Sequence, residues 1–132
     1  MKILNGTSKT INTEIDVHYA IQSMVKPKGL PKIIDIGTMY YKGEKQYFAT
    51  ELLGKNLSQI YQLSLGQMSI AQIINLGVQL THSIESLHRI GYIHNDIKPD
   101  NIMVGQENRK NDHFKVYLID FGLCHKYIKS AR

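Results

Sequence analysis

Cysteine is nearly absent from this chain. Cys124 stands alone, which excludes an internal disulfide framework and suits a reducing compartment. No apolar run approaches the ~20 residues that a membrane-spanning helix needs. Met1–Thr10 is broken by Asn5, Gly6 and Ser8, so no signal-peptide core is expected there. Sixteen Lys and Arg against eleven Asp and Glu leave a net charge of +5, but the basic residues are dispersed. Without an Arg/Lys block or a basic patch interleaved with aromatics, nothing argues for nucleic acid. The ordinary reading of the excess is a basic solvated surface, and the sharper one is affinity for acidic substrates or nucleotide phosphates. Internal repeats and low-complexity segments are missing as well. What remains, at 132 residues with 42% hydrophobic and 20% charged, is one globular domain or a piece of one. A cytoplasmic or nuclear location is expected.

Along the chain, Met1–Leu4 reads as the end of a strand closed by the turn dipeptide Asn5-Gly6. Between Thr13 and Met24, apolar Ile15, Tyr19 or Ala20, and Met24 fit a helix of about three turns. Lys26-Pro27-Lys28-Gly29 ends it, because proline disfavours helical geometry before itself and glycine tolerates the exit. Ile33–Ile36 and Gln46–Leu52 are short β-rich runs around polar Lys42-Gly43-Glu44-Lys45, the pattern of an antiparallel hairpin. After Gly54 the texture turns helical. Asn56-Leu57-Ser58-Gln59 and Ser69-Ile70-Ala71-Gln72 both resemble capping boxes. The second opens a helix whose apolar positions Ile73, Gly77, Leu80, Ile84 and Leu87 lie on one face, ending near Arg89 or Ile90 with Gly91 as cap.

The densest chemistry follows. Tyr92–Gly105 packs His94, Asp96, Lys98 and Asn101 into eight positions. The apolar run Val116-Tyr117-Leu118-Ile119 then leads into Asp120-Phe121-Gly122. Each residue has a plain reading by itself: Asp96 a turn residue, Asn101 an Asx-turn former, Lys98 a solvated charge, His94 a buried ring bonded to backbone. Their conjunction is more specific. Phosphoryl transfer leaves a protein little covalent work; it must align two oxygens, neutralise phosphate charge and position an acceptor hydroxyl. Asp96 could orient that hydroxyl and take its proton, and Lys98, two residues on, could steady the transferred group. Asn101 offers a carbonyl oxygen and Asp120 a carboxylate to a hard cation. The strand before Asp120 would hold it rigidly, and Gly122 would give the following turn backbone freedom.

These motifs resemble those of eukaryotic-type protein kinases, and among them the casein kinase 1 family. Glu51-Leu52-Leu53-Gly54 matches that family's hinge, Tyr92–Pro99 its catalytic loop, Ile119–Leu123 its Ile-Asp-Phe-Gly-Leu strand end, and Gly29-Leu30-Pro31 its Gly-Ile-Pro. Tyr127 fits its short basic-and-tyrosine stretch. The resemblance implies a serine/threonine kinase, since tyrosine kinases usually lack the lysine after the catalytic aspartate. It also implies ATP and Mg²⁺ as cofactors and protein substrates, with acidic or pre-phosphorylated ones as candidates. By the same resemblance the Glu51 carbonyl and Leu53 amide would bind the adenine edge, with Thr50 as gatekeeper and Met103 beneath the purine. Glu14 would be the helix glutamate paired with a strand lysine. Lys2 would be that lysine, although two fewer residues intervene than the family pattern has.

Two departures stand out. No Gly-x-Gly-x-x-Gly occurs, and Asn95 replaces the Arg that the family carries before its catalytic aspartate. The second removes the partner of a phosphorylated activation loop. The expected architecture is a two-lobed α+β kinase-like fold truncated at both ends, with residues 1–53 in the first lobe and hinge and 54–132 in the second. Little activity is expected from these residues by themselves. Two other functions stay open: a non-catalytic remnant serving as an interaction module, and a small-molecule phosphotransferase of related fold.

Overall fold

The computed structural model describes residues 1–4, 9–106 and 115–128. The Asn5-Gly6 turn expected from sequence lies outside them. Strand β1 (Lys2–Leu4) is followed by helix α1 (Lys9–Gln22) and by β2 (Ile33–Tyr40) and β3 (Glu44–Thr50). The three strands form an antiparallel sheet in the order β1-β3-β2. The hairpin is longer than its apolar run suggested: Tyr40 pairs with Glu44 and Met39 with Lys45. Strand pairing is a backbone property, so polar residues extend it wherever one face meets solvent. Helix α1 likewise starts before Thr13. Ile11, one turn ahead of Ile15, joins Leu4, Ile15 and Phe48 in a small core between helix and sheet.

Helix α2 (Leu57–Leu63) and helix α3 (Ile70–Arg89) follow. Both begin with complete capping boxes, Asn56 with Gln59 and Ser69 with Gln72. Each satisfies two amides that a helix start leaves bare. Gly91, with φ +84, accompanies the end of α3, its amide donating to the His88 carbonyl. Strands β4 (Tyr92–Ile93) and β7 (His125–Lys126) pair, as do β5 (Ile102–Val104) and β6 (Val116–Leu118). The main core joins Val17, Ile21, Leu30 and Ile33 to Leu87, Leu118 and Phe121, so α1 contributes to both hydrophobic clusters. Among the described residues no helix is long and apolar enough to cross a membrane.

The inward face of α3 corrects the sequence expectation. Ile73 is 53% exposed, and nothing approaches Gly77. The buried positions are Ser83, Ser86 and Leu87, with Leu76, Leu80 and Ile84 packed beside them. Serines are inside because the backbone comes too close for anything larger. A Cβ on Gly29 would sit 1.9 Å from Ser83 Oγ and 3.2 Å from its Cα, and Gly29 has φ +64. The Gly29 carbonyl accepts from the Leu118 amide, and the Lys28 amide donates to Ser86 Oγ. Gly29→Ala is therefore expected to destabilise the chain by about 1–3 kcal/mol through overpacking plus left-handed strain. A urea midpoint equal to wild type would contradict this close approach.

Candidate active site

The loop after β4 is pinned by His94, which is only 2% exposed. The Asp96 amide donates to its Nδ1 at 3.2 Å. The ring proton therefore sits on Nε2, which donates to the Ile119 carbonyl at 3.1 Å. Burial pushes the imidazole below its ordinary range, which keeps this neutral tautomer. His94 thus ties the Asp96 backbone to the strand that delivers Asp120. Asn95 next to it adopts φ +65, and its Nδ2 donates to the Leu123 carbonyl at 3.2 Å. Asparagine tolerates that left-handed conformation better than most residues.

Asp96 gathers the polar groups. Lys98 Nζ donates to its Oδ2 at 2.7 Å, and Asn101 Nδ2 donates to the same oxygen at 2.8 Å. Asn101 Nδ2 also donates to the Asp96 carbonyl at 2.9 Å. Pro99–Asn101 forms a single 3₁₀ turn that brings residue 101 back over residue 96. The Lys98 bond, aided by Asn101, holds the Asp96 carboxyl below the usual carboxylate range. The same bond raises the Lys98 ammonium, with the Asp120 and Asp100 charges acting in the same direction. The Ile119 amide donates to the Asn101 carbonyl at 3.0 Å, which sets Asn101 beside the start of the Asp-Phe-Gly turn. Asp120 itself takes φ +64, while Gly122 lies outside the left-handed region. The strained residue of this turn is the aspartate, not the glycine expected to need the freedom. The reason is visible next door: Phe121 is fully buried and anchors the turn, so Asp120 must absorb the reversal.

A cavity of about 370 Å³ opens at Asp120. Lys2, Glu14, Thr50, Glu51, Leu53, Met103 and Asp120 all line it. Lys2 Nζ lies 2.8 and 3.0 Å from the two carboxylate oxygens of Glu14. Glu14 is the buried member of the pair and Lys2 the half-exposed one. The segment after β3 crosses the cavity mouth, held by Glu51 N–H to the Lys32 carbonyl and Gly54 N–H to the Val104 carbonyl. A Cβ at Gly54 would fall 2.6 Å from the Gly105 carbonyl oxygen, so only glycine lets the two backbones meet here. The Leu53 amide makes no hydrogen bond among the described residues.

His18, also on the cavity wall, was not singled out from sequence. It follows Glu14 by one helical turn, the spacing that could have marked it. Its ring packs 3.8 Å from Phe48 and 5.3 Å from Phe121, centroid to centroid, and Phe121 in turn meets His94 edge-on at 5.7 Å. A continuous row of rings thus joins sheet, helix, Asp-Phe-Gly turn and the loop after β4. His18 Nδ1 is buried and lacks a hydrogen-bond partner among the described residues.

The oxygen donors suit a hard cation. With Asn101 Nδ2 spent on Asp96, neither Asn101 Oδ1 nor the Asp120 carboxylate makes a hydrogen bond or ion pair among the described residues. Those residues contain no cluster of three or more His, Cys, Asp or Glu. A pair of oxygen ligands fits Mg²⁺, which keeps waters and takes substrate phosphates, and does not fit a closed zinc site.

The α+β fold thus sets a cavity lined by Asp120 next to the loop in which Asp96 accepts from Lys98 and Asn101, and those three loop residues do not line the cavity. The whole chain, residues 1–132, matches the protein kinase domain, and the protein belongs to that family. It is 40% identical over 86 residues to a probable serine/threonine-protein kinase of Dictyostelium discoideum. That match takes in 64% of this chain and 17% of the relative's length. Protein kinases in general use ATP and Mg²⁺.

Proposed function

We propose that the chain forms the nucleotide- and metal-binding part of a serine/threonine protein kinase of casein kinase 1 type. The reaction is transfer of the ATP γ-phosphoryl group to Ser or Thr hydroxyls of protein substrates, acidic or pre-phosphorylated ones among them. One observation carries the reading: Asp96 accepts from both Lys98 and Asn101, and Asp120, whose charge also acts on Lys98, makes no hydrogen bond or ion pair among the described residues.

In this reading Asp96 orients the acceptor hydroxyl and takes its proton, and Lys98 leaves Asp96 to meet the transferred phosphoryl. Asn101 Oδ1 and Asp120 hold Mg²⁺, which when bound neutralises phosphate charge. Lys2, fixed by Glu14, contacts the phosphates. The Glu51 carbonyl and Leu53 amide take the adenine edge, Thr50 controls the depth of the cavity, and Met103 supports the purine. Residues 1–53 form the first lobe and hinge, and 54–132 the start of the second.

Support for a protein rather than a small-molecule acceptor comes from the Lys98-Pro99 and Asp-Phe-Gly motifs and from the Dictyostelium relative's description. The test is transfer of labelled phosphoryl to a panel of acidic Ser/Thr peptides, Tyr peptides and small alcohols. Labelling of the Ser/Thr peptides is expected; labelling confined to the alcohols would overturn the reading.

A further inference from the structure

A second and larger cavity, about 780 Å³, lies on the far side of the segment that crosses the nucleotide cavity, with Glu51 in the wall of both. Its floor is apolar: Ile21, Leu30, Ile33 and Val116 are all buried core residues that also face this space. Lys26, Lys28 and Lys32 surround it, all exposed. None of the three side chains has a hydrogen bond or ion pair among the described residues. Lys115 lines the wall too but already has an interaction of its own. Glu51 is the single carboxylate among the lining residues, and its Oε1 accepts from the Lys32 amide at 2.9 Å.

We propose that this rear cavity docks an acidic peptide segment with one large apolar anchor side chain. Three exposed ammonium groups around one opening, without ion pairs among the described residues, give it a positive rim that complements an anionic ligand. The apolar floor beneath them is of the size and character that ligand cavities have, and it gives an anchor side chain somewhere to leave water. Charge at the rim with apolar surface at the centre is also the usual anatomy of a peptide interface. A membrane surface fits less well, because the apolar residues are recessed and a flat bilayer reaches only protruding ones. Nucleic acid fits less well because the wall carries only two rings, Tyr117 and the imidazole of His82, and no row of aromatics for successive bases. The site shares Glu51 with the nucleotide cavity but none of Lys2, Asp96, Lys98, Asn101 and Asp120, and its occupancy is measurable without turnover.

The experiment uses the full chain and a dye-labelled peptide, Asp-Asp-Glu-Leu-Phe-Glu-Asp-Asp, read by fluorescence anisotropy. Binding is expected to weaken at least tenfold when Leu-Phe is replaced by Ser-Ser, and at least tenfold in the Lys26→Glu/Lys28→Glu/Lys32→Glu variant. The Lys→Gln version of that variant, whose lost charge is milder, is expected to fall between. It also serves if the charge-reversed chain fails to fold. Affinity should drop as salt rises, and Asp120→Ala should leave it unchanged, which separates this site from the nucleotide cavity. Equal affinity for the Ser-Ser peptide, or an affinity indifferent to all three lysines, would overturn the proposal. So would tighter lysine-dependent binding to phosphatidylserine vesicles than to the peptide.

Discussion

Asp96→Asn is expected to lower phosphoryl transfer by at least about 100-fold while leaving Mg-ATP binding within about threefold of wild type, the loss typical of a general base removed without its surroundings. The substitution is nearly isosteric. The amide oxygen can still accept from Lys98 or Asn101, so the loop survives, but it cannot take a proton or attract the ammonium as strongly. The comparison uses labelled γ-phosphoryl, normalised to bound nucleotide, so that chemistry is read apart from binding. The pH profile sharpens it. Lys98 holds the Asp96 carboxyl below the usual range, so Asp96 stays ionised across the neutral region and above. Rates should therefore not fall through protonation of Asp96 between about pH 5 and 8. A variant with wild-type turnover would remove Asp96 from the chemistry.

The second large effect concerns stability in acid. Burial, with the Lys2 charge acting in the same direction, lowers His18 to about 4 from its ordinary 6.5. The unfolded chain takes up a proton below pH 6.5 that the folded chain refuses until near pH 4. Stability from the neutral ring is thus complete above pH 6.5 and is lost as pH falls toward 4. The loss over that window amounts to about 3 kcal/mol. The neighbours sharpen the penalty: Phe48 and Phe121 cover the ring, Lys2 repels its charged form, and Nδ1 has no acceptor waiting. His18→Leu fills similar space without a titrating group. Urea unfolding at pH 7, 5.5 and 4 should show a flatter pH dependence in that variant by about this amount. Parallel curves for wild type and variant would contradict it. His94, also lowered by burial, titrates in both proteins and cancels in the comparison.

Much of this was legible in the residues because local rules govern it. The two capping boxes, the ends of α3 and the hairpin depend on short-range hydrogen bonding and turn geometry. The spacing of Asp96, Lys98 and Asn101 is equally local: a 3₁₀ turn after proline closes it. The pairing of Lys2 with Glu14 was less legible, since strand and helix are joined by residues whose count departs from the family pattern. The inward serines of α3 were illegible for a different reason. Hydrophobic periodicity marks surface that avoids water, whereas Ser83 is buried because Gly29 comes too close for a larger side chain. His18 was passed over because a lone histidine on a helix has no signature until Phe48 and Phe121 arrive from elsewhere in the chain. The left-handed Asp120 went unseen because glycine, not aspartate, is the usual sign of such backbone.

The central claim is that Asn101 and Asp120 hold Mg²⁺ for a nucleotide seated in the cavity that Lys2, Glu14 and Leu53 line. Thermal unfolding of wild type and Asp120→Ala, each with ATP alone and with ATP plus Mg²⁺, tests it most directly. Ligand that binds only the folded state raises the midpoint, by about 2.7 kcal/mol of stability at a hundredfold excess over Kd. Wild type should gain stability that depends on Mg²⁺, and Asp120→Ala should lose that dependence. A wild-type midpoint indifferent to Mg-ATP, or an equal gain in both proteins, would contradict the assignment.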